Sequence, residues 1–133
     1  MKKYLVPLAM VLFLLIPLMA ISGENLPAPF LKIKAMAMGG TLTEGIYIWE
    51  KKIVINGNEY SYSMGFSPTN DIIGVVKAEG PYITAIIWWG EGKSYMIKKF
   101  AYGNLVQQEI ISEEQAIKLA YDFFKELVFH KLI

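Results

Sequence analysis

The spacing of apolar residues changes twice along this chain. From Tyr4 to Ile21 there is no charged residue. From Leu31 to Ile111 apolar positions mostly recur at every second residue, in short runs broken by Gly, Pro, Asn and Asp. Beyond Ser112 they recur every third or fourth residue. These regimes predict an apolar N-terminal segment, a series of strands and a C-terminal helix.

The strand region can be divided further. Leu31 to Met38 alternates, with Leu31, Ile33, Ala35 and Ala37 on one side, and reads as a strand. Gly39-Gly40 is a turn. Thr41 to Glu50 reads as strand bent at Gly45. Lys51 to Met64 is the clearest local element: Ile53-Val54-Ile55 and Tyr60-Ser61-Tyr62 flank Asn56-Gly57, a pair suited to the positive φ of a type I′ hairpin turn. A turn at 56–57 pairs Ile53 with Tyr60, and one at 57–58 pairs Ile55 with Tyr60. Both registers put Ile53, Ile55, Tyr60 and Tyr62 on one face. Ser67 to Asp71 forms a turn around Pro68. Ile72–Ala78 and Tyr82–Trp89 are nearly continuous apolar runs and read as central strands covered on both faces. Two more strands, Lys93–Ala101 and Leu105–Ile111, are separated by Gly103-Asn104.

Ser112 opens the helix. With Gln115 it makes the S-x-x-Q capping pattern, and loss of a Ser cap costs about 1 kcal/mol. Ala116, Ile117, Ala120, Phe123, Phe124, Leu127 and Val128 make an apolar stripe opposite Gln115, Lys118, Asp122 and Lys125. The expected class is α+β. We expect a curved antiparallel sheet of about seven or eight short strands, a meander or partly open barrel, with one C-terminal amphipathic helix packed on it.

The run Ile111-Ser112-Glu113-Glu114-Gln115-Ala116-Ile117-Lys118-Leu119-Ala120 resembles the opening helix of PepSY domains, small extracytoplasmic modules linked to peptidase inhibition. The resemblance covers one helix and implies an inhibitor-like module outside the cytoplasm. That family places strands after the helix, whereas here the strands precede it.

At the N-terminus, Lys2 and Lys3 precede the charge-free run of 18 residues, and Pro17, Ala20, Ser22 and Gly23 follow its apolar centre. This is the layout of a secretory signal peptide, cut after Ser22 or after Ala20. The same run is just long enough to serve as an uncleaved membrane anchor. Residues 1–22 are thus a signal peptide or anchor, 23–30 an extended linker carrying Pro27 and Pro29, and 31–133 a single domain. Localisation is expected to be secreted or extracytoplasmic, with membrane contact only through residues 4–21 if the segment stays uncut.

Composition narrows the chemistry. Removing residues 1–22 from the 133 leaves 111 residues with 11 Lys and 12 acidic residues. Every basic residue is Lys, so the nearly neutral, Arg-free surface argues against nucleic-acid binding. There is no Cys and one His, His130, too few ligands for a zinc site. No nucleophile-elbow or phosphate-loop motif occurs, and no cofactor is expected. The aromatic strand residues are the candidate ligand-binding positions. If Ile46 and Ile48 face the core, Tyr47 and Trp49 face outward. Adjacent Trp88 and Trp89 must point to opposite faces. Tyr47, Trp49, Trp88 and Trp89 could then form a platform for a protein or cell-surface polymer.

The leading expectation is a small exported, non-enzymatic binding or surface module. The alternatives are a carrier of a small apolar ligand, a small extracytoplasmic hydrolase and a peptidase-inhibitor-like module. Mass spectrometry of the native protein tests export directly. A first residue at Gly23 or Ile21 supports secretion, and a first residue at Met1 shows a retained anchor.

Overall fold

A computed structural model describes residues 26–133. The expected signal peptide or anchor (1–22) and the start of the expected linker lie outside the described residues. The elements run α1 (Ala28–Met38), β1 (Thr41–Thr43), β2 (Ile46–Ile55), β3 (Asn58–Ser67), β4 (Ile72–Glu79), β5 (Tyr82–Trp89), β6 (Ser94–Ala101), β7 (Asn104–Ile111) and α2 (Glu113–Phe129). Each strand pairs antiparallel with its neighbours in sequence, giving an open seven-stranded sheet in the order β1 to β7. The class is α+β, with the C-terminal helix packed on the sheet as expected.

Local chemistry sets the hairpins. Asn56 and Gly57 have φ of 51° and 83°, the double positive φ of a type I′ turn. The register is the first of the two expected, with Ile53 opposite Tyr60. The same turn recurs at Glu44-Gly45, with φ of 50° and 82°. The residue range expected as one strand bent at Gly45 is therefore a hairpin, β1 to β2.

The segment Leu31–Met38 is not a strand. It belongs to the helix α1, which also takes in residues 28–30 of the expected linker. The alternation of Leu31, Ile33, Ala35 and Ala37 coexists with a second spacing: Leu26, Phe30, Ile33 and Ala37 follow a helical period and are all buried. Exposed Leu31 and Met38 keep the outer side apolar too, which masks that stripe. Ala, Leu, Lys and Met are good helix formers, and Pro29 lies in the first turn, where its missing N–H costs nothing. Gly40 then lets the chain cross β2 closely, because a Cβ there would collide with the carbonyl of Ile48.

Both helices cover the same face of the sheet. That face carries Tyr62, Met64 and Phe66 of β3, Ile73 and Val75 of β4, Ile86 of β5 and Tyr95 of β6, all buried. The α1 stripe and the α2 residues Ala116, Ala120, Phe123 and Leu127 complete one core. Burying each large side chain contributes roughly 1.5–3 kcal/mol. Ser112 caps α2 as expected, its Oγ accepting from the Gln115 N–H at 3.1 Å. The two-sided cover expected over β4 and β5 is absent among the described residues: no described element lies over their other face.

Tyr62 ties α2 to the sheet. Its ring meets Phe123 edge-on at 5.9 Å, and its hydroxyl donates to Glu126 Oε1 at 3.0 Å. Burial, then the Glu126 carboxylate, hold the Tyr62 pKa well above the ordinary tyrosine value. Burial also pushes Tyr95 up to about 12, with Glu113 adding to the shift. Both phenols bind their protons more tightly when folded. Their contribution is therefore complete below the ordinary value of 10.0 and falls as pH rises, through about 12 for Tyr95 and higher still for Tyr62. Urea unfolding followed across that alkaline window should show falling stability. The Tyr95→Phe variant should show a shallower fall, and equal slopes for the two proteins would contradict the assignment.

Candidate functional site

The four aromatic positions do not form a platform. Trp88 and Trp89 point to opposite faces, as adjacency requires. Trp88 lies opposite Ile73 and Tyr95 on the helix-covered face, and Trp89 lies opposite Ile72 and Ser94 on the open one. Tyr47 and Trp49 pair with Phe66 and Met64, so they too are on the covered face. All three covered aromatics are half-buried against the core, and the Tyr47 ring stacks on Phe66 at 6.2 Å. The outward presentation of Tyr47 and Trp49 is thus reversed: Ile46 and Ile48 take the open side and remain 39% and 37% exposed. The large rings fill the space beneath α1 near the edge of the sheet, where isoleucines would leave gaps.

The open face carries the more distinctive feature. Gly65 of β3 lies directly opposite Gly74 of β4, at the centre of the sheet. Their missing side chains leave a groove of about 330 Å³. Ile46, Ile48, Ile72, Val76 and Ile87 line it, with Ser63, Ser67 and Asn70 among its polar residues. Ser67 is buried, and its Oγ accepts from the Asn70 side-chain amide at 3.3 Å, which fixes the polar end. Among the described residues, none that lines the groove is charged. Further along the same face the surface turns polar, with Glu50, Lys52, Glu59 and Ser61 around a smaller depression of about 190 Å³.

The two glycines differ in what holds them. A Cβ on Gly74 would stand 2.9 Å from the Ile86 carbonyl oxygen, so the sheet itself excludes a side chain there. A Cβ on Gly65 would meet only the Tyr47 carbonyl oxygen, at 3.8 Å, an ordinary contact. Its φ is not in the left-handed region. Neither crowding nor backbone conformation requires glycine at 65. Glycine inside a strand forgoes packing and has an entropic cost of roughly 0.5–1 kcal/mol, and it often marks close approach of another group. Sequence reasoning missed this pair because Gly74 was read as part of a strand run and Gly65 fell between the hairpin ending at Met64 and the turn starting at Ser67. An isolated glycine within an apolar strand was the available signal.

A second polar cluster lies under α2. Lys77 Nζ is 2.9 Å from Glu126 Oε1, the same oxygen that accepts from Tyr62. Tyr60 donates to Glu79 Oε2 at 3.0 Å, which raises the Tyr60 pKa. A cleft of about 270 Å³ lies alongside, lined partly by Lys77, Thr84, Asp122 and Glu126. Glu126 pairs with Lys77 and Tyr62 across the sheet–helix boundary, so the cluster acts first as a latch for α2. His130 sits beside it, 6.1 Å from the Tyr62 ring. Among the described residues, no three His, Asp or Glu side chains converge as metal ligands.

In comparisons with known proteins, the chain matches no protein-family model, no curated protein and no solved structure. The likeness of residues 111–120 to a PepSY helix rests on the Ser112 cap and the amphipathic stripe.

The glycine pair yields a paired prediction for urea unfolding. Gly74→Ala should destabilise by about 1–3 kcal/mol through overpacking against backbone, whereas Gly65→Val should leave stability unchanged or raise it. Equal losses at both positions would contradict the distinction.

Proposed function

We propose that this chain is a small extracytoplasmic binding module whose open sheet face holds an apolar group in the groove over Gly65 and Gly74. One observation carries the reading: Gly65 leaves a groove at the centre of an apolar strand surface although the fold would accept a side chain there. The ligand chemistry follows from the lining. Aliphatic walls favour an acyl chain or an aromatic ring, and the hydroxyl and amide at one end suit a single uncharged polar group. The volume falls at the small end of ligand sites. With no titratable group among the described residues that line the groove, binding rather than catalysis is the chemistry offered. The export segment at residues 1–22 supports a place outside the cytoplasm.

The wider reading of a protein or polymer platform loses support from the geometry, because Tyr47, Trp49 and Trp88 pack toward the core. Trp89 remains on the open side, next to Ile72 and Ser94.

The test uses 1-anilinonaphthalene-8-sulfonate and a fluorescent fatty acid as probes. Filling the groove with Gly65→Val should weaken binding at least ~10-fold, a loss of about 1.4 kcal/mol, with no fall in unfolding midpoint. Val54→Ser, an exposed change elsewhere on the same face, should leave binding intact. Equal affinity in wild type and folded Gly65→Val would overturn the proposal.

A further inference from the structure

The helix α2 has two apolar stripes. One is buried in the core. The second runs through Ile117, Tyr121, Phe124 and Val128, at spacings of four, three and four residues, and Phe129 adjoins it. It faces away from the sheet. Phe124 is buried beneath the ammonium of Lys32, which lies 4.6 Å above its ring. Ile117 is half-buried, and the remaining residues are open: Tyr121 is 48%, Val128 60% and the adjoining Phe129 79% exposed. A broad depression of about 910 Å³ follows this stripe, with Lys118 and Lys125 among its lining residues. A helix of a monomeric domain gains nothing by showing three large apolar side chains to water, so the stripe calls for a cover.

The path of the chain indicates what that cover is. The described chain starts at Leu26, which is buried in the same core as α2. Five residues after the helix N-cap Pro27, Lys32 is already touching Phe124. The described chain therefore begins on the helical side, and the sequence before Leu26 is charge-free from Tyr4 to Ile21. We infer that the second stripe of α2 rests on the surface of a lipid bilayer. The inference depends on the reading that residues 1–22 stay in the chain as an uncut membrane anchor.

The side chains match that surface. Tyr121 and Phe129 are suited to the headgroup region, where an aromatic ring meets both apolar and polar surroundings. Lysines on either side can bury their methylene stems and direct their ammonium groups to lipid phosphate. Lys118 now pairs with Asp122 at 2.9 Å, a solvent-exposed i, i+4 pair of little stabilising worth, so exchanging it for a phosphate costs little. Three exposed apolar side chains would bind a bilayer only weakly by themselves. An anchor in the same chain supplies the missing affinity by keeping the helix at high effective concentration next to the lipid.

The absence of cysteine makes the test clean. Single cysteines are introduced by Val128→Cys on the stripe and Val54→Cys on the open sheet face, and each carries a nitroxide label. The full chain is reconstituted in phosphatidylcholine vesicles containing phosphatidylglycerol, and label accessibility to oxygen and to a water-soluble nickel complex is compared. The ratio should rise several-fold for position 128 on membrane binding and stay constant for position 54. Adding Phe129→Asp should return position 128 to aqueous values while the chain still floats with the vesicles. A chain that floats with position 128 as wet as position 54 overturns the docking but leaves membrane attachment standing. Failure to float overturns both. Dipolar broadening between labels at position 128 would show that a second copy covers the stripe, and this too overturns the inference.

Discussion

The side chain of Tyr62 is the point on which this architecture turns. It is fully buried at the centre of the covered sheet face, and yet its hydroxyl must find an acceptor. The acceptor is Glu126, which lies on α2, 64 residues away, and which also holds Lys77 of β4. One buried phenol thus joins β3, β4 and the C-terminal helix. The Phe123 ring against it adds apolar contact to the hydrogen bond. Without α2 in place, Tyr62 would lose both its acceptor and its cover. The helix is therefore a working part of the sheet's stability rather than an appendage.

Much of the local structure was legible in the residues. The Asn56-Gly57 turn, the common face of Ile53 and Tyr60, the Ser112 cap and the core stripe of α2 follow from turn chemistry and spacing alone, while the choice between two hairpin registers does not. The first helix was not, because Leu31 to Met38 satisfies two periods at once. Ile33 and Ala37 belong to both patterns, and only the burial of Phe30 and Leu26 decides between them. The aromatic strands failed for a different reason. Alternation in β2 separates Tyr47 and Trp49 from Ile46 and Ile48 correctly, but it carries no information about which set lies beneath a helix. That choice was made by α1, the element that had been misread. The groove was harder still to see. Gly65 and Gly74 become one feature only when β3 and β4 pair, so their meaning lies in the register between two strands.

The two faces of the sheet divide the work. The covered face holds nearly all the large buried side chains and accounts for the stability. The open face is apolar at its centre and polar towards the Glu50–Glu59 end, and it is free to specialise because the core does not depend on it. The module can therefore vary its groove without disturbing the packing beneath, provided Gly74 is kept for the sake of the Ile86 backbone.

The strict sequence order of the strands has a kinetic consequence. Every ladder in the sheet joins neighbours in sequence, so each hairpin can close soon after its two strands are available and loop-closure entropy stays small. Among the described elements the late step is the docking of α2, which must find β3 across an intervening span of four strands. In a chain made or delivered from its N-terminus, the sheet can zip together while half its inner face is still bare. The interval before α2 arrives is then when this domain is most exposed to sticking, and its duration is set by the emergence of the last helix rather than by any rearrangement within the sheet.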